Sequence, residues 1–315
     1  MKAFRFGVVL SNLPPADWVL RVRQIEKLGY SSLLWADHFR TQWEPVSALA
    51  AAAAVTKRLN IGSLVYCVDY RHPVVLAKAA ATIQLISNGR HEFGLGAGWM
   101  ESDYVQAGIL FDPPKVRIER LNEALEIIRH VWTQEQTTFS GKYYNVKEVP
   151  RAVKFSEQQR PRIFVGGGGR KVLEVAARQA DIVGITPTFC KGSFGSHTIY
   201  DFNIERIIEK VKLVRENAQK AGRDADEIEF SCNVFGINLT DDPKPIREEI
   251  ARRWNVEEVD IEACKLFLIG SANEIRENLE QLRIETGISY IAISESNPIV
   301  LRKFANSVIR PLLSQ

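Results

Sequence analysis

Gly89-Arg90-His91-Glu92-Phe93-Gly94-Leu95-Gly96-Ala97-Gly98-Trp99-Met100-Glu101-Ser102-Asp103-Tyr104 begins as a strand and ends as glycine-dense backbone carrying a tryptophan and two acids. Glycine is used where the backbone needs positive φ or must pass close to another group. Gly94, Gly96 and Gly98 therefore mark a strand end that something approaches. Three explanations compete: a dinucleotide, a plain turn, or a cofactor or substrate loop at the end of a parallel strand. The spacing is G-x-G-x-G rather than G-x-G-x-x-G, and Trp99 to Asp103 reads as a loop rather than a helix start, which disfavours the dinucleotide. The surrounding chain has to choose between the others.

Outward from this stretch the chain alternates. Short apolar strands begin near residues 4, 32, 60, 90, 161, 181, 228 and 289. Between them lie amphipathic helices, such as Asp17 to Leu28 closed by Gly29, the run opened by Pro73, and Arg117 to Trp132. Thr137 to Val146 alternates around Ser140-Gly141 and reads as a β-hairpin inserted after strand four. Glu227 to Ile237 reads as one strand. Eight strand–helix units without a linker predict an α/β fold, a (β/α)8 barrel over residues 1–315 as a single domain, with loop insertions in the second half. A doubly wound sheet is the runner-up.

The composition suits a soluble enzyme: 315 residues, 45% hydrophobic, 25% charged. A net charge of +3 from 41 basic and 38 acidic residues gives no footprint for nucleic acid or an anionic membrane. No apolar run reaches the roughly 20 residues of a membrane span. Cys67, Cys190, Cys232 and Cys264 form no CxxC pair and are expected as reduced thiols in a cytoplasmic protein. No spacing of His, Cys and acids suits a metal, so none is expected.

In a barrel the chemistry gathers at the carboxyl ends of the strands. Strand one ends at Asn12, strand two at Asp37-His38, strand three at Tyr66-Cys67, strand four at the opening stretch, and strand five at Gly166-Gly167-Gly168-Gly169-Arg170. His38 is the acid–base candidate, because imidazole exchanges protons near neutrality. Neighbouring side chains on a strand point apart, so Asp37 is not assumed to orient it. Four glycines running into a helix expose N–H groups at its positive end and predict a phosphate cradle, with Arg170 as an added cation. Trp99 is expected to shape the pocket and Glu101 to offer a polar contact. Asn12 and Tyr66 are expected to line the substrate pocket. The loops Pro187 to Tyr200 and Asp241 to Ala263 are the expected seat of specificity. There Phe189, Phe194 and Tyr200 form either an aromatic lid or core packing.

Together, Trp35-Ala36-Asp37-His38-Phe39, Tyr70-Arg71-His72-Pro73, Ser87-Asn88-Gly89-Arg90, Gly94-Leu95-Gly96-Ala97-Gly98-Trp99, Phe139-Ser140-Gly141-Lys142-Tyr143-Tyr144 and Gly166 to Gly169 resemble the bacterial luciferase-like monooxygenase superfamily. They look most like its branch dependent on the deazaflavin coenzyme F-420. That resemblance implies a luciferase-like barrel, hydride transfer to or from a small-molecule substrate, and His38 near the reacting ring. It implies that Asp37 meets the cofactor's polar edge, Ala97 and Gly98 line the ring or its side chain, and Gly166 to Gly169 hold the phosphate. A cis peptide bond behind the ring would fall near Leu64-Val65. Flavin mononucleotide (FMN) in a monooxygenase served by a flavin reductase is the alternative, and a cofactor-free binding subunit the second. Relatives are often homodimers.

Overall fold

Apolar runs of four to six residues form eight parallel strands: β1 (Arg5–Leu10), β2 (Ser32–Trp35), β3 (Asn60–Ser63, continued by Tyr66–Cys67), β4 (His91–Gly96), β5 (Arg162–Gly167), β6 (Ile182–Ile185), β7 (Glu229–Val234) and β8 (Ile288–Ile293). The computed structural model describes residues 1–151, 153–189, 192 and 194–314, so Cys190 lies outside the described residues. Each strand pairs with its sequence neighbours and β1 pairs with β8, which closes an eight-stranded parallel barrel.

The connecting helices are α1 (Trp18–Leu28), α2 (Pro45–Val55), α3 (Pro73–Ile86), α4 (Glu101–Ala107), α5 (Pro114–Thr133), α6 (Arg170–Gln179), α7 (Ser196–Tyr200), α8 (Ile204–Lys220), α9 (Lys244–Trp254), α10 (Glu258–Ala263), α11 (Ala272–Thr286) and α12 (Pro298–Phe304). The expected hairpin is present as Gln136–Ser140 paired with Asn145–Pro150. No helix among the described residues is long and apolar enough to cross a membrane.

Two local readings change, and the last helix is irregular. The stretch after Trp99 is not a loop: Glu101 opens α4, with Glu101 and Asp103 favourably placed in its first turn and Gly108 ending it at φ 67°. The strand expected over Glu227 to Ile237 is two strands. β7 stops at Val234, and Gly236–Leu239 leaves the barrel to pair with Phe267–Gly270. The final helix is interrupted by a π-helical turn over Ala305–Ile309.

Strand alternation sorts the side chains into two cores. Phe93, Leu95 and Trp132 belong to the layer between strands and helices. Leu34, Phe164, Ile182, Tyr290 and Ala292 come from four different strands and meet one another, which only the barrel interior permits. Polar groups close the amino-terminal end beneath them. Arg5 donates to both oxygens of Glu229 (2.7 and 3.0 Å) and to Glu92 (2.7 Å). Tyr290 donates to Glu92 at 2.9 Å and lies 4.0 Å under the Arg5 guanidinium. Burial alone would raise the Glu229 carboxyl, but Arg5 and Arg162 outweigh it and hold it below the usual carboxylate range. The barrel is thus plugged at one end by charge pairs and open for chemistry at the other.

His91 sits fully buried at the start of β4, its Nδ1 2.7 Å from the Ile61 carbonyl. Burial pushes the imidazole from 6.5 down to about 4, against the smaller opposing pull of that hydrogen bond. The folded protein therefore resists a proton that the unfolded chain accepts. This contribution to stability is complete above pH 6.5 and is lost as pH falls toward 4. It is worth on the order of 3 kcal/mol at 1.36 kcal/mol per pKa unit. His91→Gln removes the titration, so its urea midpoint should fall less between pH 7 and 4.5 than that of the unsubstituted protein. Parallel pH profiles would contradict this.

Candidate active site

The carboxyl ends of the strands surround a cleft of about 720 Å³. Residues from β1, β3, β4, β5 and β7 line it, together with the loops after β2, β6 and β8. Its shape is set by glycines whose neighbours are protein atoms. A Cβ on Gly94 would meet the Ser63 carbonyl oxygen at 2.0 Å, and one on Gly96 would meet Val65 at 2.7 Å. What approaches the main chain of the opening stretch is therefore strand β3, whose Val65 side chain fills the space those glycines leave. The Leu64–Val65 peptide bond is cis, at the expected place, and both residues line the cleft. Gly98 is required twice over: its φ is 71° and its Cβ would stand 2.0 Å from the Tyr104 hydroxyl.

His38 lines the cleft from the end of β2, and its orienting acid is not its neighbour. His38 Nδ1 lies 2.6 Å from Asp103 Oδ2, contributed by α4. Asp103 is 1% exposed, and its other oxygen has no partner among the described residues. A carboxylate only accepts, so the proton rests on Nδ1, and Nε2 is left to take up or release another. Asp37 has a different task. Its carboxylate accepts from the Cys67 N–H at 3.0 Å and from Arg71 at 2.6 and 3.2 Å, tying the end of β2 to β3. It still borders the cleft.

Behind α4 a second network fixes the loop. Tyr104 donates to Asp69 at 2.7 Å and sits 3.2 Å from Cys67 Sγ. Arg120 reaches Asp69 and Asp112 at 2.8 and 2.6 Å. Arg117 donates to the carbonyls of Ala97 (3.2 Å) and Gly98. Burial pushes the Cys67 thiol up to about 12, so it remains protonated and is no nucleophile although it lines the cleft.

Gly166 to Gly169 line the opposite wall and run into α6. The four are not equivalent. A Cβ on Gly167 would meet Val172 at 2.3 Å, and one on Gly168 would meet the Thr186 carbonyl oxygen at 2.2 Å, so packing requires both. Beside Gly166 and Gly169 the nearest atoms are 3.7 and 3.9 Å away, leaving room. Gly169 is the N-cap of α6 and no side chain caps the helix, so first-turn N–H groups remain for an anion.

Ala97, Gly98, Asn12 and Trp99 line the cleft as expected, although the Asn12 amide donates to the Thr41 carbonyl at 2.5 Å. Two expectations fail. The Arg170 side chain is 78% exposed, pairs with Glu174 one turn along α6 at 3.1 Å and does not line the cleft. Glu101 is exposed and lines a separate outer hollow with Ser102 and Gln106, because α4 turns it outward while turning Asp103 inward. Tyr66 borders the cleft, but its ring packs on Phe93 at 5.8 Å in the layer under the helices, one residue out of phase with the inward Val65. Of the proposed lid, Phe189 and Phe194 line the cleft and half-exposed Tyr200 does not. Asp103, Asn233, Ser294 and Phe235 line it without having been singled out. An inward acid two residues from an outward one, seen as a helix, was the available signal for Asp103.

Gly98→Ala places a methyl group against Tyr104 and in a left-handed conformation. It should cost more than about 2 kcal/mol of stability, read as a lowered melting temperature. Gly169→Ala should leave the melting temperature within about 2 °C. Equal losses would contradict the distinction.

The profile of the luciferase-like monooxygenase family matches residues 4–263. The chain is 30% identical over 221 residues to an F420-dependent glucose-6-phosphate dehydrogenase of Amycolatopsis mediterranei, covering 67% of this chain and 63% of that one. The match thus spans less than two thirds of that relative's length. A protein of the same description from Gordonia bronchialis is 30% identical over 297 residues, covering 89% of this chain and 80% of the other. The fold superposes with a TM-score of 0.79 on the coenzyme F420-dependent tetrahydromethanopterin reductase of Methanopyrus kandleri, at 18% identity and over 99% and 100% of the two chains.

Proposed function

The chain belongs to the luciferase-like monooxygenase family, and from that premise we propose that it is an oxidoreductase transferring hydride between the deazaflavin coenzyme F420 and a small organic molecule. In this reading it works as one barrel domain, in the cytoplasm. One observation carries the proposal. The uncapped start of α6 opens into the same cleft as the His38–Asp103 pair, with room beside Gly166 and Gly169.

The residues present fit such a cofactor. The backbone of Gly166 to Gly169 and the first turn of α6 would hold its phosphate. Leu64, Val65, Ala97 and Gly98 would flank its ring, and Asp37 would border the ring's polar edge as a carboxylate already fixed by Arg71. When bound, the deazaflavin supplies the carbon that exchanges hydride with the substrate.

The chain's own part is proton handling and positioning. His38 Nε2 takes the substrate's proton in one direction and returns it in the other. Asp103 holds the imidazole by Nδ1 and fixes its tautomer. The Asp103 carboxylate itself is buried, which strengthens the contact. The buried neutral thiols Cys67 and Cys232 fit a reducing compartment.

Titrating the protein with coenzyme F420 and with flavin mononucleotide, following fluorescence, tests the assignment. The deazaflavin should bind at least about tenfold more tightly, ~1.4 kcal/mol; the reverse order would sink the reading in favour of a flavin enzyme.

Gly169→Asp caps α6 with its own carboxylate. Stability should hold or rise by a few tenths of a kcal/mol, while cofactor affinity falls about tenfold. Undiminished affinity would remove the phosphate from that position. His38→Ala should lower kcat about 100-fold and leave the cofactor dissociation constant within about threefold. Asp103→Asn should lower kcat about tenfold or more and change its pH profile, because the amide can present the ring with either hydrogen-bonding face. An unaltered profile would reduce Asp103 to a packing role.

A further inference from the structure

The substrate half of the cleft is walled by aromatic rings. Trp99 stacks on Phe189 with ring centres 4.6 Å apart and planes 29° apart. Phe194 stands edge-on to both, at 5.0 and 5.1 Å. Phe235 continues the wall at 5.5 Å from Phe194, and Trp254 braces Phe194 from behind at 6.0 Å. The wall begins at the reacting group, because the His38 imidazole sits edge-on to Trp99 at 5.9 Å.

These rings do not bury each other fully. Trp99, Phe189 and Phe235 are only half-buried, and Phe194 is 41% exposed while lining the cleft. Water against such faces costs roughly 25 cal/mol per Å² of apolar surface. A flat apolar ligand recovers that cost and adds ring–ring contact.

The charges facing the cleft point the same way. Asp37, Asp103 and Glu295 line it as acids. Arg117, which lines it, and Arg71, which lies behind Asp37, are already engaged. Arg117 is held by the carbonyls of Asp112, Ala97 and Gly98, and Arg71 by Asp37 and Glu44. Arg40 stands exposed at the rim, donating to Met100 Sδ at 3.2 Å. The polar groups left on the far wall include the neutral pair Asn233 and Ser294, 3.2 Å apart. Apart from Arg40 at the rim, a phosphate on the substrate would meet carboxylates and aromatic faces.

We propose that the substrate of this site is an uncharged molecule carrying a flat, apolar ring that packs against Trp99, Phe189 and Phe194, and that it is not a sugar phosphate. The inference rests on the cofactor reading above and sharpens it. It separates this chain from relatives described as glucose-6-phosphate dehydrogenases.

The test uses the full-length protein loaded with coenzyme F420, cofactor binding being measured first on the same sample. Equilibrium binding of 1-phenylethanol, 2-propanol and glucose 6-phosphate is then followed by ligand-observed nuclear magnetic resonance, and kcat/KM by cofactor absorbance. The expected result is binding and kcat/KM at least about tenfold better for 1-phenylethanol than for 2-propanol, with glucose 6-phosphate weakest. Phe194→Ala and Phe189→Ala, each checked for an intact melting transition, should lower the preference for 1-phenylethanol over 2-propanol about fivefold. Glucose 6-phosphate preferred, or no gain from 2-propanol to 1-phenylethanol, overturns the inference while the cofactor reading stands. Failure of the protein to bind the cofactor overturns both.

Discussion

A closed barrel of eight strands has an interior that must be filled, and this chain fills only half of it. The amino-terminal half holds Arg5, Glu92, Tyr290, Phe164 and Leu34, large side chains joined by ion pairs and ring contacts. The carboxyl-terminal half receives Gly94, Gly96 and Gly166 from the strands, with Val65 the bulky group laid across them. The cleft stands above Val65, and room is left beside Gly166 and Gly169. The candidate site residues lie at the carboxyl ends of the strands around it.

The rim combines two kinds of order. The glycine run before α6 offers backbone N–H groups, whose direction is fixed by the helix and not by side-chain rotamers. The His38–Asp103 pair is the opposite case, two side chains on separate elements brought to 2.6 Å because α4 turns Asp103 inward. The network of Tyr104, Asp69, Arg120 and Arg117 ties that segment to α5 and to the residues that follow β3.

Much of this was legible beforehand, for physical reasons. Strand–helix alternation is a local signal repeated eight times, so the barrel and the address of its loops followed from it. Gly166 to Gly169 and His38 stood out because four glycines and a lone strand-end imidazole have few bland uses. The misses are non-local or depend on phase. Glu101 and Asp103 differ by two residues, and only the presence of α4 decides which faces inward. Tyr66 borders the cleft from a strand end, one residue out of phase with the inward Val65. Arg170 looked like a phosphate ligand by proximity in sequence, but helix geometry sends its side chain to Glu174. Asp103 lies 65 residues from His38, and nothing local couples them.

The central claim is that one cleft holds a phosphate at the start of α6 and a reacting ring beside His38. A crystal structure of the protein with oxidised coenzyme F420 tests it most directly. The account predicts the phosphate within hydrogen-bonding distance of the backbone N–H groups at Gly169 and the first turn of α6, with the ring packed on Val65 and its reactive face open toward His38. A phosphate bound elsewhere, or a ring turned so that His38 faces only its edge farthest from the reacting carbon, would contradict it.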